Sequence, residues 1–294
     1  MRVTAIVLSM PRCKILVNNR FCYSGIESVM SIHPTAVIDK KAEIDTSVHV
    51  GAYTVIGKGV RVGAGTRIEA HAVLAGLTTI GAGNVVGSFT SIGAPPQDLG
   101  YGGEPTQLVI GDHNQIREYT SIHRGTVKGG GKTVIGDNNL FMAYCHIGHD
   151  CHIANHVIMA NVATLAGHVE VDDYASISGL VAVHQFCRIG AYAYIGGMSG
   201  IGLDVAPYMI VTGTRNRLRV SGINKVGLRR HGFSKEIIGK LDQAFRLLFR
   251  SPELLQADAL AQVRKELPDC AEVESLVHFF ENSKRGVAKR TDED

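Results

Sequence analysis

Aliphatic residues recur every six positions along most of this chain, and that period excludes most folds. Ile32, Ile38, Ile44, Val50, Ile56, Val62, Ile68, Leu74, Ile80, Val86 and Ile92 hold one frame. A second frame runs through Ile135, Phe141, Ile147, Ile153, Met159, Leu165, Val171, Ile177, Val183, Ile189, Ile195 and Ile201, with Ile110, Ile116 and Ile122 between the two. A period of six fits neither a helix nor a long alternating strand, so each hexad must be a short strand followed by a turn. The Gly that often follows the aliphatic residue supports a turn there. A coil of three hexads points every aliphatic side chain inward and stacks each strand on the next coil about 4.8 Å away. Such a chain needs almost no helix before residue 213.

The frame breaks after Ile92 and again after Ile122. Counted in coils, both breaks follow the same prism face. The segments PPQDLGYGGEPTQ and RGTVKGGGKT, rich in Gly and Pro, therefore read as two loops leaving the prism side by side, a placement suited to covering a site. From residue 213 the character changes. RNRLRVSGINKVGLRRHGF is basic, and EIIGKLDQAFRLLFR sets Ile237, Leu241, Phe245 and Leu248 on one helical stripe. Ser251-Pro252 reads as the start of the next helix, and Pro268 separates it from a last one carrying Val273, Leu276, Val277 and Phe280. Three parts are expected: an N-terminal extension over residues 1–31, poorly ordered or preceding a start at Met30; a β-helix over 32–212; and a helical domain over 213–294.

Composition narrows the function. With 294 residues, 45% of them hydrophobic, the chain can bury a large core. A formal charge of +3 suits anionic small molecules or an acidic partner and falls short of a nucleic-acid footprint. The six cysteines show no C-x-x-C spacing, so no disulfide framework or thiol zinc site is indicated, and a reducing cytoplasm fits best. The apolar stretch at the N-terminus is cut by Pro11 and Arg12, too short for a membrane span.

The chain holds 13 histidines, and the coil count makes several of them meet. The hexads at Ile147, Leu165 and Val183 stack on one face and contain His149, His168 and His184-Gln185. The loop-adjusted count adds His123. An imidazole is the side chain best suited to take a proton from a hydroxyl near neutral pH, provided a second group fixes its tautomer. Asp150 stands beside His149, although successive strand side chains point apart.

Six local motifs occur in one order: QDLGYGGEPT, IHRGT, HIGHDC, ATLAGHVEVDD, AVHQFCRIGA and GLRRHGF. With the hexads they resemble the UDP-N-acetylglucosamine O-acyltransferases of the hexapeptide-repeat family, which begin lipid A synthesis, and the likeness runs from about Ile32 to the final helices. The resemblance implies a left-handed parallel β-helix with a C-terminal helical domain, a handedness that strand physics does not supply. It implies a homotrimer, a 3-hydroxyacyl donor on acyl carrier protein, a UDP-sugar acceptor, and no cofactor or metal. His149 would be the general base, Asp150 its partner, and the Gly167 N–H the oxyanion donor. His146 and His168 would contact the substrates, Gln97 and Asp98 would hold the sugar, and His184 with Gln185 would line the sugar and acyl region. Asn224, Arg230 and His231 would bind the nucleotide from a neighbouring subunit.

The chain departs from the family pattern in places. Gly100 follows QDL where family members often carry lysine, so a charge contact to substrate is lost or supplied elsewhere. TRNRLRVSG is about two residues longer and lacks a histidine. Gly197, where a bulky residue goes with shorter chains, implies a longer acyl group. Two other enzymes and one non-enzyme compete with this reading: the N-acyltransferase of the same pathway, a zinc enzyme like the hexapeptide-repeat carbonic anhydrases, and a non-catalytic scaffold. Against the zinc enzyme, no set of three converging ligands is visible in the sequence.

Overall fold

A computed structural model describes residues 32–214, 217–251 and 254–289; the expected N-terminal extension lies outside the described residues. Short strands, most of two residues, stack into three parallel sheets that form the faces of a prism. The first face runs from Val37–Ile38 to Gly200–Ile201, the second from Glu43–Ile44 to Arg188–Ile189, and the third from His49–Val50 onward. Registers such as Val37↔Val55 and His146↔Thr164 repeat every three hexads. The aliphatic residue of each hexad faces inward: Ile56, Ile92, Ile116, Phe141, Ile147, Leu165 and Ile195 are all buried. Each such side chain removed from water contributes about 1.5–3 kcal/mol, which offsets the entropy of ordering so many turns.

From Tyr53 onward most corners of the prism turn through a residue with positive φ. Few of these residues are glycine; Tyr144, Asp150, His156, Val162, His168, Tyr174, Leu180, Phe186 and Tyr192 all sit near φ +60°. The left-handed region strains a residue with a Cβ. Stacking on the equivalent residue one coil away offsets that strain, since the inter-coil spacing is also a ring-stacking distance. His156 stacks on Tyr174 at 4.5 Å and Tyr174 on Tyr192 at 4.8 Å.

Both frame breaks fall where the sequence placed them. On the first face Ser91 pairs with Ser121 and Ser121 with His146, so two loops leave the corner between the first and second faces. Arg124 ties them together, donating to Gly93 O at 2.6 Å and to the Tyr101 hydroxyl at 2.9 Å. The prism ends in Met209–Thr212, against which Arg219–Ile223 runs antiparallel, so one more strand precedes the first helix.

Helices α1 (Lys225–Arg230), α2 (Lys235–Phe249), α3 (Gln256–Glu266) and α4 (Ala271–Glu281) close this end. The expected stripe of α2 packs inward through Leu241, Phe245 and Leu248, with Ile238 more buried than Ile237. Ser251 does not start α3: its hydroxyl donates to Arg246 O at the end of α2, and α3 begins at Gln256 behind Leu255. Pro252 lies outside the described residues. Among the described residues no helix is long and apolar enough to cross a membrane.

Candidate active site

The corner between the first and second faces gathers the imidazoles. Asp150, His168 and Phe186 occupy its positive-φ position on three successive coils. That conformation overturns the expectation from strand alternation. At φ +61° Asp150 swings back toward its neighbour, and His149 Nδ1 lies 2.7 Å from Asp150 Oδ2. The Asp150 side chain is fully buried, and the second loop buries it. Thr126 donates to it twice, from its backbone N–H to Oδ1 and from its hydroxyl to Oδ2, each at 2.7 Å. The Asp150 N–H donates in turn to the Thr133 hydroxyl at 2.8 Å. Gly129 completes the fit, because a Cβ there would run into the Asp150 carboxyl group.

Two consequences follow for His149. Asp150 Oδ2 occupies the Nδ1 side of the ring, and among the described residues Nε2 has no hydrogen-bond partner. The ring also lies over Gly167, where a Cβ would come within 2.6 Å of His149 Cε1. Glycine at 167 is thus the space the imidazole needs. Among the described residues the Gly167 N–H donates to no protein group.

Burial disfavours the charged form of the neighbouring histidines. Burial, and then the nearby His149, hold the His146 pKa below its ordinary value; its Nδ1 is 2.8 Å from the Ser121 hydroxyl. His123 packs edge-on against His146, its Nδ1 is buried without a partner, and burial pushes its pKa down to about 4. His168 stacks on Phe186 at 4.4 Å, meets His149 edge-on, and has its pKa lowered by burial. Its Nε2 lies 3.6 Å from Asp150 Oδ2.

The other expected residues are distributed over the molecule. Asp98 sits near enough to His168 to act on its charge and accepts from the Gly100 N–H at 2.6 Å, while Gln97 is exposed on the same loop. His184 and Gln185 are exposed one coil above Gly167. Gly197 lies on the corner between the third and first faces, beside Gly179. Asn224, Arg230 and His231 lie toward the remaining corner. The Asn224 side chain is occupied in the fold, accepting from Gly227 N and donating to Tyr192 O, and His231 packs on Tyr174 and Tyr192. Arg230 is exposed. One chain therefore brings His146, His149, Asp150, Gly167 and His168 together and does not bring Gly197, Asn224, Arg230 or His231 to them.

Sequence reasoning missed Thr126, Thr133, Gly129 and Phe186. Thr126 and Phe186 lie inside the motifs IHRGT and AVHQFCRIGA, and Gly129 and Thr133 inside the Gly-rich second loop, but no role was read for any of them. It also missed that His149, Asp150 and His168 place their ligand atoms within 4.8 Å of one another, the three converging groups whose absence counted against a metal.

A parallel β-helix of hexads with an imidazole–carboxylate pair under two corner loops, ending in helices, defines a hexapeptide-repeat transferase. Residues 132–167 match the sequence family described as bacterial transferase hexapeptide (six repeats), and residues 204–288 match the second domain of UDP-N-acetylglucosamine O-acyltransferase. The acyl-[acyl-carrier-protein]--UDP-N-acetylglucosamine O-acyltransferase of Syntrophobacter fumaroxidans is 52% identical over 260 residues, 88% of this chain and 100% of that protein. The protein of the same name from Thermodesulfovibrio yellowstonii is 54% identical over 258 residues, 88% of this chain and 99% of its own. The crystal structure of the enzyme from Moraxella catarrhalis superposes with a TM-score of 0.85 at 45% identity, covering 88% of this chain and 100% of that one. The chain belongs to the UDP-N-acetylglucosamine O-acyltransferase family.

Proposed function

We propose that the protein transfers a 3-hydroxyacyl group from acyl carrier protein to the 3-hydroxyl of UDP-N-acetylglucosamine, with His149 as general base. The observation that carries this is the His149–Asp150 pair, sealed by Thr126 beneath the loop that bears Asp98. His149 Nε2 takes the proton as the sugar oxygen attacks the thioester carbonyl. The Gly167 N–H steadies the tetrahedral oxyanion. As the C–S bond breaks, the departing thiolate takes the proton back from the imidazolium. His146 and His168, whose charged forms burial disfavours, donate or accept hydrogen bonds to the substrates. Gln97 and Asp98 hold the sugar, and His184 and Gln185 line the acyl side. The names of the relatives favour O-acylation over N-acylation.

The working unit in this reading is a cytoplasmic homotrimer. A stripe of exposed apolar side chains runs along the corner between the third and first faces. It includes Tyr53, Phe89, Tyr119, Tyr144, Leu180 and Met198. Such a length of apolar surface on one chain supports burial against another copy. A copy placed there would also explain why Gly197, which would set acyl length, and Asn224, Arg230 and His231, which would bind nucleotide, stand apart from His149.

The convergence of His149, Asp150 and His168 gives a metal-dependent reading some support. Against it, both Asp150 oxygens and His149 Nδ1 are already engaged in hydrogen bonds. Purified protein incubated with UDP-N-acetylglucosamine and a panel of 3-hydroxyacyl carrier proteins, followed by mass spectrometry, tests the transfer and reports chain length. The product is expected in the wild type with or without chelator. It should fall about 10²–10⁴-fold in His149→Ala. Undiminished turnover in that variant removes the mechanism, and loss of activity with chelator favours the metal.

A further inference from the structure

Between the two loops lies a pocket of about 210 Å³, lined by Asp98, Gly100, Tyr101, Glu104, Thr126, Val127 and Lys128. Two of its features bear on charge. A Cβ added at Gly100 would lie 3.0 Å from Lys128 Nζ and 3.1 Å from Asp98 Oδ1. The Lys128 ammonium therefore stands where a side chain from position 100 would begin. It forms no ion pair among the described residues. The two carboxylates of the pocket are turned to their own loop, Asp98 accepting from Gly100 N and Glu104 from Gly102 N.

The backbone of Lys128 is held in place. It sits in the 3-10 turn Val127–Gly129, capped by Thr126, whose hydroxyl accepts from Gly129 N. Thr126 is the residue that binds Asp150 twice, so the backbone that carries the exposed Lys128 is anchored two residues away from the His149 centre. A cation without a carboxylate partner, held over a pocket beside the reacting groups, suits an anionic part of a substrate.

We propose that Lys128 binds the diphosphate of the nucleotide sugar, supplying from the second loop the charge that Gly100 cannot supply from the first. This rests on the proposed function and adds one substrate-binding residue to it.

The test exchanges the two positions in the full-length protein and measures KM for UDP-N-acetylglucosamine, kcat, and Kd for UDP. Lys128→Gln should raise KM and weaken UDP binding by a similar factor, about tenfold each, with a smaller change in kcat. Lys128→Arg should keep most of the affinity. Gly100→Lys combined with Lys128→Gln should recover most of the loss, because Gly100 is not in a positive-φ conformation and the vacated space receives the new side chain. An unchanged KM in Lys128→Gln overturns the proposal. So does a raised KM with unaltered UDP binding, which would place the ammonium on the sugar or acyl group. A loss that Gly100→Lys fails to recover, with a lowered melting temperature, would make Lys128 a brace of the loop and also overturn it. A wild type that acylates while Lys128→Gln behaves normally sinks this inference alone; a wild type that neither binds nor acylates the nucleotide sugar sinks the reading beneath it as well.

Discussion

Two corners of this prism share one backbone and differ in what they do with it. Asp150, His168 and Phe186 on one corner and Tyr144, Val162 and Leu180 on another all sit at the same turn position with φ near +60°. On the first corner two loops fold over the coil, and the Asp150 side chain is wholly buried. On the second no loop intervenes, and Tyr144 and Leu180 remain 56% and 57% exposed. The same backbone therefore carries a buried carboxylate at one corner and exposed apolar side chains at the other. Side-chain identity and the presence of a loop make the difference.

The sharpest way to break this comparison is to alter the buried carboxylate. In Asp150→Asn the Thr126 N–H still requires an acceptor, so the amide oxygen stays at that side and the amide NH₂ turns toward His149. A donor there forces His149 to carry its proton on Nε2, and the outward nitrogen ceases to be a base. Turnover should fall about 10³-fold, with the circular dichroism spectrum unchanged. If Asp150→Asn retains wild-type kcat, the corner is not catalytic in the way its geometry suggests.

The second corner calls for a different probe. Leu180→Glu places a charge in the middle of the exposed stripe, where a lone chain tolerates it and a packed copy does not. Sedimentation should report a smaller species, and activity should drop about tenfold or more if a neighbour completes the site. A Leu180→Glu protein that stays assembled and active would leave the stripe without a role in assembly.

The two corners were not equally legible. Period six, read with three hexads per coil, was enough to stack Ile147, Leu165 and Val183 and hence to bring His149 near His168, since inward packing leaves no other register. It also put both loops on one corner. It could not pair His149 with Asp150, because the pairing depends on Asp150 leaving strand geometry for the left-handed region, which a period of aliphatic residues does not encode. Thr126 was out of reach for another reason. Its contact spans a loop, and loop conformation follows from where the carboxylate needs donors. The helical tail was legible as a stripe on α2; that Asn224 also caps α1 and that His231 packs on Tyr174 and Tyr192 was not.

The smallest effect separates the corners by pH. His123 has an ordinary pKa of 6.5 when unfolded and about 4 when folded, with burial as the main cause, and His146 and His168 are lowered in the same direction. Between those values the unfolded chain binds a proton that the folded chain refuses. Stability is therefore fully present above pH 6.5 and declines as the pH falls toward 4. The melting temperature should drop across that window, and His123→Asn should make the drop shallower by about 2–4 °C. Equal slopes in the wild type and His123→Asn would mean that the buried imidazoles do not set the acid limit of the fold.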